Sequence, residues 1–165
     1  MAGFTPVGKL AKGVKAGVAV GKATLWTGGA VERGRTIERA LGATVGKRQG
    51  WGVSLDRLCG PRCNNFPVAD YFNRETGLLT SVKSINTANT GYFKKKVGAS
   101  AKALANAGEL KKGRATVRAG SVKARQLVVA VPAGQQWSPA ARRARWQAKK
   151  SASDQGVAVK YVFVK

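Results

Sequence analysis

Histidine is absent from the 165 residues. That absence removes the Ser-His-Asp and Cys-His arrangements, the histidine-pair nucleases and every zinc site that uses imidazole. Cysteine is limited to Cys59 and Cys63, and two thiols without an imidazole do not complete a tetrahedral zinc site within one chain. The spacing Cys59-Gly60-Pro61-Arg62-Cys63 suits a short disulfide in an oxidising compartment and equally suits two buried thiols. Acids are scarce as well, 7 Asp plus Glu against 30 Lys plus Arg. A few carboxylates or a lysine must therefore carry any chemistry. Lys or Arg interrupts every apolar run, so none approaches the ~18 residues of a membrane-spanning helix. Residues 1–25 likewise lack the unbroken apolar segment of a secretory signal.

What is present is positive charge. A net charge of +23 is the balance of a polyanion binder. The chain is nonetheless 44% hydrophobic with four Trp, too apolar for a disordered basic tail, so one domain with a modest core is expected. Residues 1–29 read as a separate basic Ala/Gly/Lys arm. Leu10, Val14, Val18 and Val20 alternate there with Lys9, Lys12, Lys15 and Lys22, and intervening glycines at about 1 kcal/mol each weaken any helix. Residues 30–165 form the expected domain.

A helix is predicted over residues 30–41, with Gly42 as its left-handed terminator. Val31, Gly34, Glu38 and Leu41 fall on one stripe. Glu38 stands where an apolar residue is expected, and Arg35 one turn back is a plain ion-pair partner for it. Two strand-like runs, residues 66–72 and 78–85, flank the turn Asn73-Arg74-Glu75-Thr76-Gly77 and predict a β-hairpin. Asp70 shares parity with Val68 and Phe72, and Ser81 and Lys83 share parity with Leu79 and Ile85. A register with Asp70 opposite Ser81 brings all three polar groups together; a slip of one residue separates them. Further on come a helix near residues 97–107, a basic loop at 111–118, a strand at 125–131, a helix opening on Ser138-Pro139 and a strand at 157–164. Ser138 is a good N-cap and Pro139 suits the first helical position. The last three elements make a βαβ unit with parallel strands. The fold class is α/β, a mixed sheet flanked by helices.

A carboxylate on a helix, another on a strand and a lysine on the adjoining strand are the parts for metal-assisted phosphodiester cleavage. Two carboxylates hold Mg²⁺ or a similar hard cation, and a lysine serves the attacking water or the charge growing on phosphate. The plain alternative makes Asp70 a sheet-edge residue and Lys83 a solvated one.

Three ordered blocks sharpen this reading: Arg33-Gly34-Arg35-Thr36-Ile37-Glu38, then Asn65-Phe66-Pro67-Val68-Ala69-Asp70-Tyr71-Phe72, then Thr76-Gly77-Leu78-Leu79-Thr80-Ser81-Val82-Lys83-Ser84-Ile85. Together with the closing strand, helix and strand, they resemble the C-terminal tRNA-cleaving toxin domain of contact-dependent growth inhibition proteins. That domain has a degenerate PD-(D/E)XK, restriction-endonuclease-like core. The resemblance runs from about residue 30 to the end. It implies Glu38 and Asp70 as acids binding a divalent metal ion, Mg²⁺ by the family's chemistry, with Lys83 as the motif lysine. Two positions before Lys83 the ordinary motif has an acid, and this chain has Ser81. The missing group is supplied by Ser81 itself, by Glu75 or by Asp56. The resemblance also implies a tRNA substrate, a cognate acidic immunity protein, release from a large cell-surface protein and action in the cytoplasm of a competing bacterium. A DNase toxin and a non-catalytic, ribosomal or nucleoid-like nucleic-acid-binding protein are the rivals.

Candidate phosphate contacts form two clusters. One comprises Lys94, Lys95, Lys96, Lys111, Lys112 and Arg114; the other Arg142, Arg143, Arg145, Lys149 and Lys150 on the last helix. Trp51, Trp137 and Trp146 serve either as base-stacking platforms or as core volume.

Overall fold

Leu127 to Val131 is an unbroken apolar run in which every residue is fully buried, as a strand covered on both faces must be. The computed structural model describes Trp26 and residues 29–63, 65–86, 89–135 and 137–165; the arm expected over residues 1–29 falls, but for Trp26 and Gly29, outside them. The run belongs to β6 (Ala124–Pro132), between β3 (Leu78–Ser84) and β7 (Val157–Val164). Both pairings are parallel. β2 (Tyr71–Asn73) and β1 (Val53–Ser54) extend the sheet antiparallel beyond β3, giving the order β1-β2-β3-β6-β7. The mixed sheet, the hairpin and the closing βαβ unit are all as the sequence predicts.

Adjacent residues of a strand face opposite ways, and the two faces gather different partners. On one side α1 (Ala30–Leu41) sets Ile37 and Leu41 against Val82, Val128, Ala130 and Val164. On the other, α4 (Thr90–Ala105) and α5 (Pro139–Ser153) cover Leu79, Leu127, Val129 and Val159. Ala141, Ala144, Ala148 and Ala152 form the buried stripe of α5, and their small side chains let it lie close on its neighbours. Its N-terminus is closed by Ser138, whose Oγ accepts from the Ala141 N–H at 3.2 Å, with Pro139 following.

Several local expectations are corrected. Gly42 does not end the helix in a left-handed turn: its backbone is right-handed, the chain continues through a π-helical turn (Gly42–Gly46) into α2 (Lys47–Gln49), and Gly50 at φ 65° takes the left-handed position. A Cβ on Gly42 would overlap the Tyr71 hydroxyl, so close approach is the reason for glycine there. Val31 is 66% exposed, and Ile37 replaces it on the buried stripe. The first hairpin strand is three residues long, not seven, because positive φ at Asn65 and Val68 and the ring of Pro67 keep residues 65–69 from pairing. The helix placed at 97–107 starts at Thr90, where the Asn89 side chain accepts from the Tyr92 N–H. The expected basic loop is a second hairpin, β4 (Leu110–Lys112) and β5 (Ala115–Val117). This hairpin sits on α3 (Leu55–Cys59), with the Arg114 N–H donating to the Cys59 carbonyl at 3.2 Å. Cys59 and Cys63 form a disulfide.

Candidate active site

Asp70 stands just before β2, clamped through its backbone. Its N–H donates to the Thr80 carbonyl and its carbonyl accepts from the Leu55 N–H, each at 2.9 Å. β2 and β3 pair with Tyr71 opposite Thr80, and the same register one step on sets Asp70 against Ser81. The contacts follow from it. Asp70 Oδ2 accepts from Ser81 Oγ at 3.2 Å and from the Val82 N–H at 2.5 Å, and Lys83 Nζ lies 3.9 Å from the same oxygen. The Asp70 side chain is 12% exposed and that of Lys83 44%, so an ammonium in contact with solvent reaches a buried carboxylate. Burial pushes the Asp70 carboxyl above its usual range, while Lys83, the Val82 N–H and Ser81 pull it down.

Glu38 comes to the same place from α1. Burial, then the neighbouring Asp70 and Asp56 carboxylates, push its pKa up to about 7, against the pull of Lys83 and Arg39. Glu38, Asp70 and Lys83 therefore share one electrostatic neighbourhood. The ion pairs among the described residues are Lys83–Asp70 and Lys150–Asp154; the plain pairing of Glu38 with Arg35 is not among them. Tyr71 holds the helix at this height, its hydroxyl donating to the Glu38 carbonyl at 3.1 Å through the gap that Gly42 leaves. Sequence reasoning passed over Tyr71 and took Gly42 only as a helix terminator, although a glycine inside an otherwise helical pattern was the available signal. A cleft of about 1130 Å³ opens beside them, lined by Glu38, Tyr71, Asp56, Lys47, Arg57 and Cys63 among others.

The three substitutes for the absent motif acid are placed differently. Ser81 is buried and its hydroxyl is engaged by Asp70. Asp56 lies near the pair, but its carboxylate accepts from the Phe66 N–H at 2.7 Å and the Asn65 N–H at 3.3 Å, pinning the loop that leads to Asp70. Glu75 is not brought in. It is exposed in the turn at the opposite end of the hairpin, where Asn73 Oδ1 accepts its backbone N–H. The three residues of β2, about 10 Å of extended chain, stand between the turn and Asp70. Among the described residues no group of three or more acids and cysteines gathers in metal-ligating fashion. The donor set is two carboxylates, and all three contacts to Asp70 fall on Oδ2, which leaves Oδ1 for a further partner. Such a pair can hold a hard cation that keeps most of its waters.

The basic candidates also divide. Lys95, Lys96, Lys111, Arg114, Arg142, Arg143, Lys149 and Lys150 are exposed. Lys94 is exposed too, with its Nζ donating to Gln147 Oε1 at 3.0 Å. Lys112 Nζ donates to the Asn65 carbonyl at 2.9 Å. Arg145 is a correction: its guanidinium lies over the rings of Tyr161, Trp137 and Phe163 at 4.6, 5.0 and 5.2 Å, and desolvation lowers its pKa. The structure engages it in packing against these rings. Trp51 is fully buried, whereas Trp146 is 63% exposed.

No helix among the described residues is long and apolar enough to cross a membrane. A search of curated proteins finds no match. A solved toxin and immunity complex from Yersinia pseudotuberculosis, CdiA-CT/CdiI, contains a chain of similar fold, with a TM-score of 0.59 and 23% identity over 78% of this chain and 98% of that one. The profile of the CDI toxin restriction endonuclease-like domain matches residues 33–162, a span that holds Glu38, Asp70, Ser81 and Lys83, and the chain belongs to that family.

Proposed function

We propose that the domain is a metal-dependent endoribonuclease that cleaves tRNA in competing bacteria. The observation that carries the reading is the Lys83–Asp70 pair at 3.9 Å, within electrostatic reach of Glu38, a residue remote in sequence that lines an open cleft. The Asp70 carboxylate helps to raise the proton affinity of Glu38, and two carboxylates so placed suit a divalent cation. Glu38 and Asp70 would hold Mg²⁺, which when bound supplies a Lewis acid for the phosphate and a water of lowered pKa. The chain's own residues do the rest. Ser81 and the Val82 N–H fix the Asp70 carboxylate, Lys83 orients the attacking water or offsets charge on the phosphate, and Tyr71 sets the height of α1 and so of Glu38. A surface at +23 supplies affinity without sequence specificity.

The partner and route follow from the family. An acidic cognate immunity protein would be steered to this surface by charge. The Cys59–Cys63 disulfide suits a domain carried outside the cell on a large exoprotein before it enters a target cytoplasm.

The test is incubation of the purified chain with total tRNA and with plasmid, in Mg²⁺ or in EDTA. Discrete tRNA fragments formed only with metal are expected. Nicked plasmid with intact tRNA would make it a DNase. Retarded but intact substrate in every lane would make it a binding protein.

A further inference from the structure

Trp146 is the largest side chain among the exposed hydrophobic residues described, 63% accessible on the outer face of α5. A protein short of core volume would be expected to bury it, as it buries Trp51. The neighbours of Trp146 along the helix, at i−4, i−3, i+3 and i+4, are Arg142, Arg143, Lys149 and Lys150, all exposed. The Cβ atoms of such positions stand about 5–6 Å from that of the tryptophan, close enough for the side chains to act together. No acid lies within α5, and Asp154 beyond it pairs with Lys150 at 3.6 Å. On the adjoining helix, Lys94 reaches Gln147 at 3.0 Å, and Lys96 Nζ stands 5.6 Å from the ring of half-exposed Tyr92.

We infer that Trp146 is a stacking platform for an unpaired base, with its four basic neighbours taking the flanking phosphates. The inference rests on the nucleic-acid reading above and deepens it by placing a substrate contact on the α4/α5 layer, on the opposite face of the sheet from α1. Charge and composition select the occupant. Lysine is depleted at the core of a protein–protein interface, whereas here Lys149 and Lys150 stand beside the aromatic group together with Arg142 and Arg143. Basic residues around an open aromatic face are what single-stranded nucleic acid uses. The contact needs only the π-face of an unpaired base, so it tolerates any base; single-stranded ends and loops of a folded RNA would both offer one.

The test uses the full chain carrying Lys83→Ala, so that substrate stays intact, with and without Trp146→Ala or Trp146→Phe. Affinity for a single-stranded oligoribonucleotide and for a blunt duplex of the same sequence is measured across a salt titration. Trp146→Ala is expected to weaken single-strand binding about 5- to 100-fold and duplex binding far less. Trp146→Phe should restore most of the loss, and the slope of log affinity against log salt should not change, because no charge is removed. Equal binding of both RNAs by Trp146→Ala and its parent overturns the inference. So does a loss confined to the immunity protein, which would make Trp146 a protein anchor. A parent chain that retards neither RNA defeats the wider nucleic-acid reading as well, and is told apart by failing before residue 146 is changed.

Discussion

Two ends of the molecule handle charge in opposite ways. Beside the cleft, Glu38, Asp56 and Asp70 crowd together although the whole chain has only 7 acids. Across the sheet, α5 carries five basic residues and no acid. Net charge alone predicts a uniformly positive surface; the structure instead spends nearly half of its carboxylates where they repel one another. Lys83 and the Val82 and Phe66 N–H groups offset part of that repulsion, and acids held in this way are common at functional sites. On the basic face four of the five charges are solvated and the fifth, Arg145, lies over aromatic rings.

The contrast is broken most severely by Asp70→Ala or Lys83→Ala. Either is expected to lower tRNA cleavage by at least about 100-fold, the scale of losing an electrostatic group at a phosphate, while retardation of tRNA in a gel stays nearly the same because the basic face is untouched. Comparable cleavage by both variants would remove them from the site. Next in size is Arg145→Ala, expected to cost about 1–3 kcal/mol of stability through its three ring contacts. Arg142→Ala should leave stability within about 0.5 kcal/mol but reduce the salt slope of tRNA binding by roughly one unit. Chemical unfolding and salt titration of the two variants separate a packed guanidinium from a solvated one.

A smaller effect concerns pH. The Glu38 carboxyl titrates near 4.5 in the unfolded chain and at about 7 in the folded one, so the folded state holds the extra proton between those values. Stability therefore falls as pH rises through that window. Glu38→Gln should flatten the fall and gain roughly 1–2 kcal/mol at pH 8, screening by solvent having been allowed for. Mg²⁺ should raise the melting temperature of the parent at pH 8 and not that of Glu38→Gln. The smallest effect is Thr80→Val. Thr80 Oγ1 and Nε2 of its cross-strand neighbour Gln126 are both buried without a hydrogen-bond partner, so removing the hydroxyl should leave stability unchanged or raise it by up to about 1 kcal/mol, as a melting curve would show.

The elements with strong periodicity were legible in the sequence: the long apolar strands, the Ser138-Pro139 helix start and the hairpin turn all carry local chemistry that admits one reading. The Asp70–Ser81 register was legible as one of two choices, and strand parity framed the choice correctly. What escaped was set by tertiary contact. Gly42 looks like a helix terminator until Tyr71 is known to occupy the space beside it. Arg145 looks like its neighbours on α5 until the rings of Trp137, Tyr161 and Phe163 close around it. Glu75 and Asp56 are equal candidates in one dimension, and only the hairpin's length and the pinned loop at residues 65–66 distinguish them. The short strand β1 has too few residues to show any period.

The fit between residue 42 and the phenol of residue 71 also bears on how this domain can evolve. Any side chain at 42 would evict the ring and lift the helix bearing Glu38, so drift at one position is blocked unless the other shrinks in the same lineage. Homologous toxins should keep the glycine–tyrosine pair whole or replace both members at once.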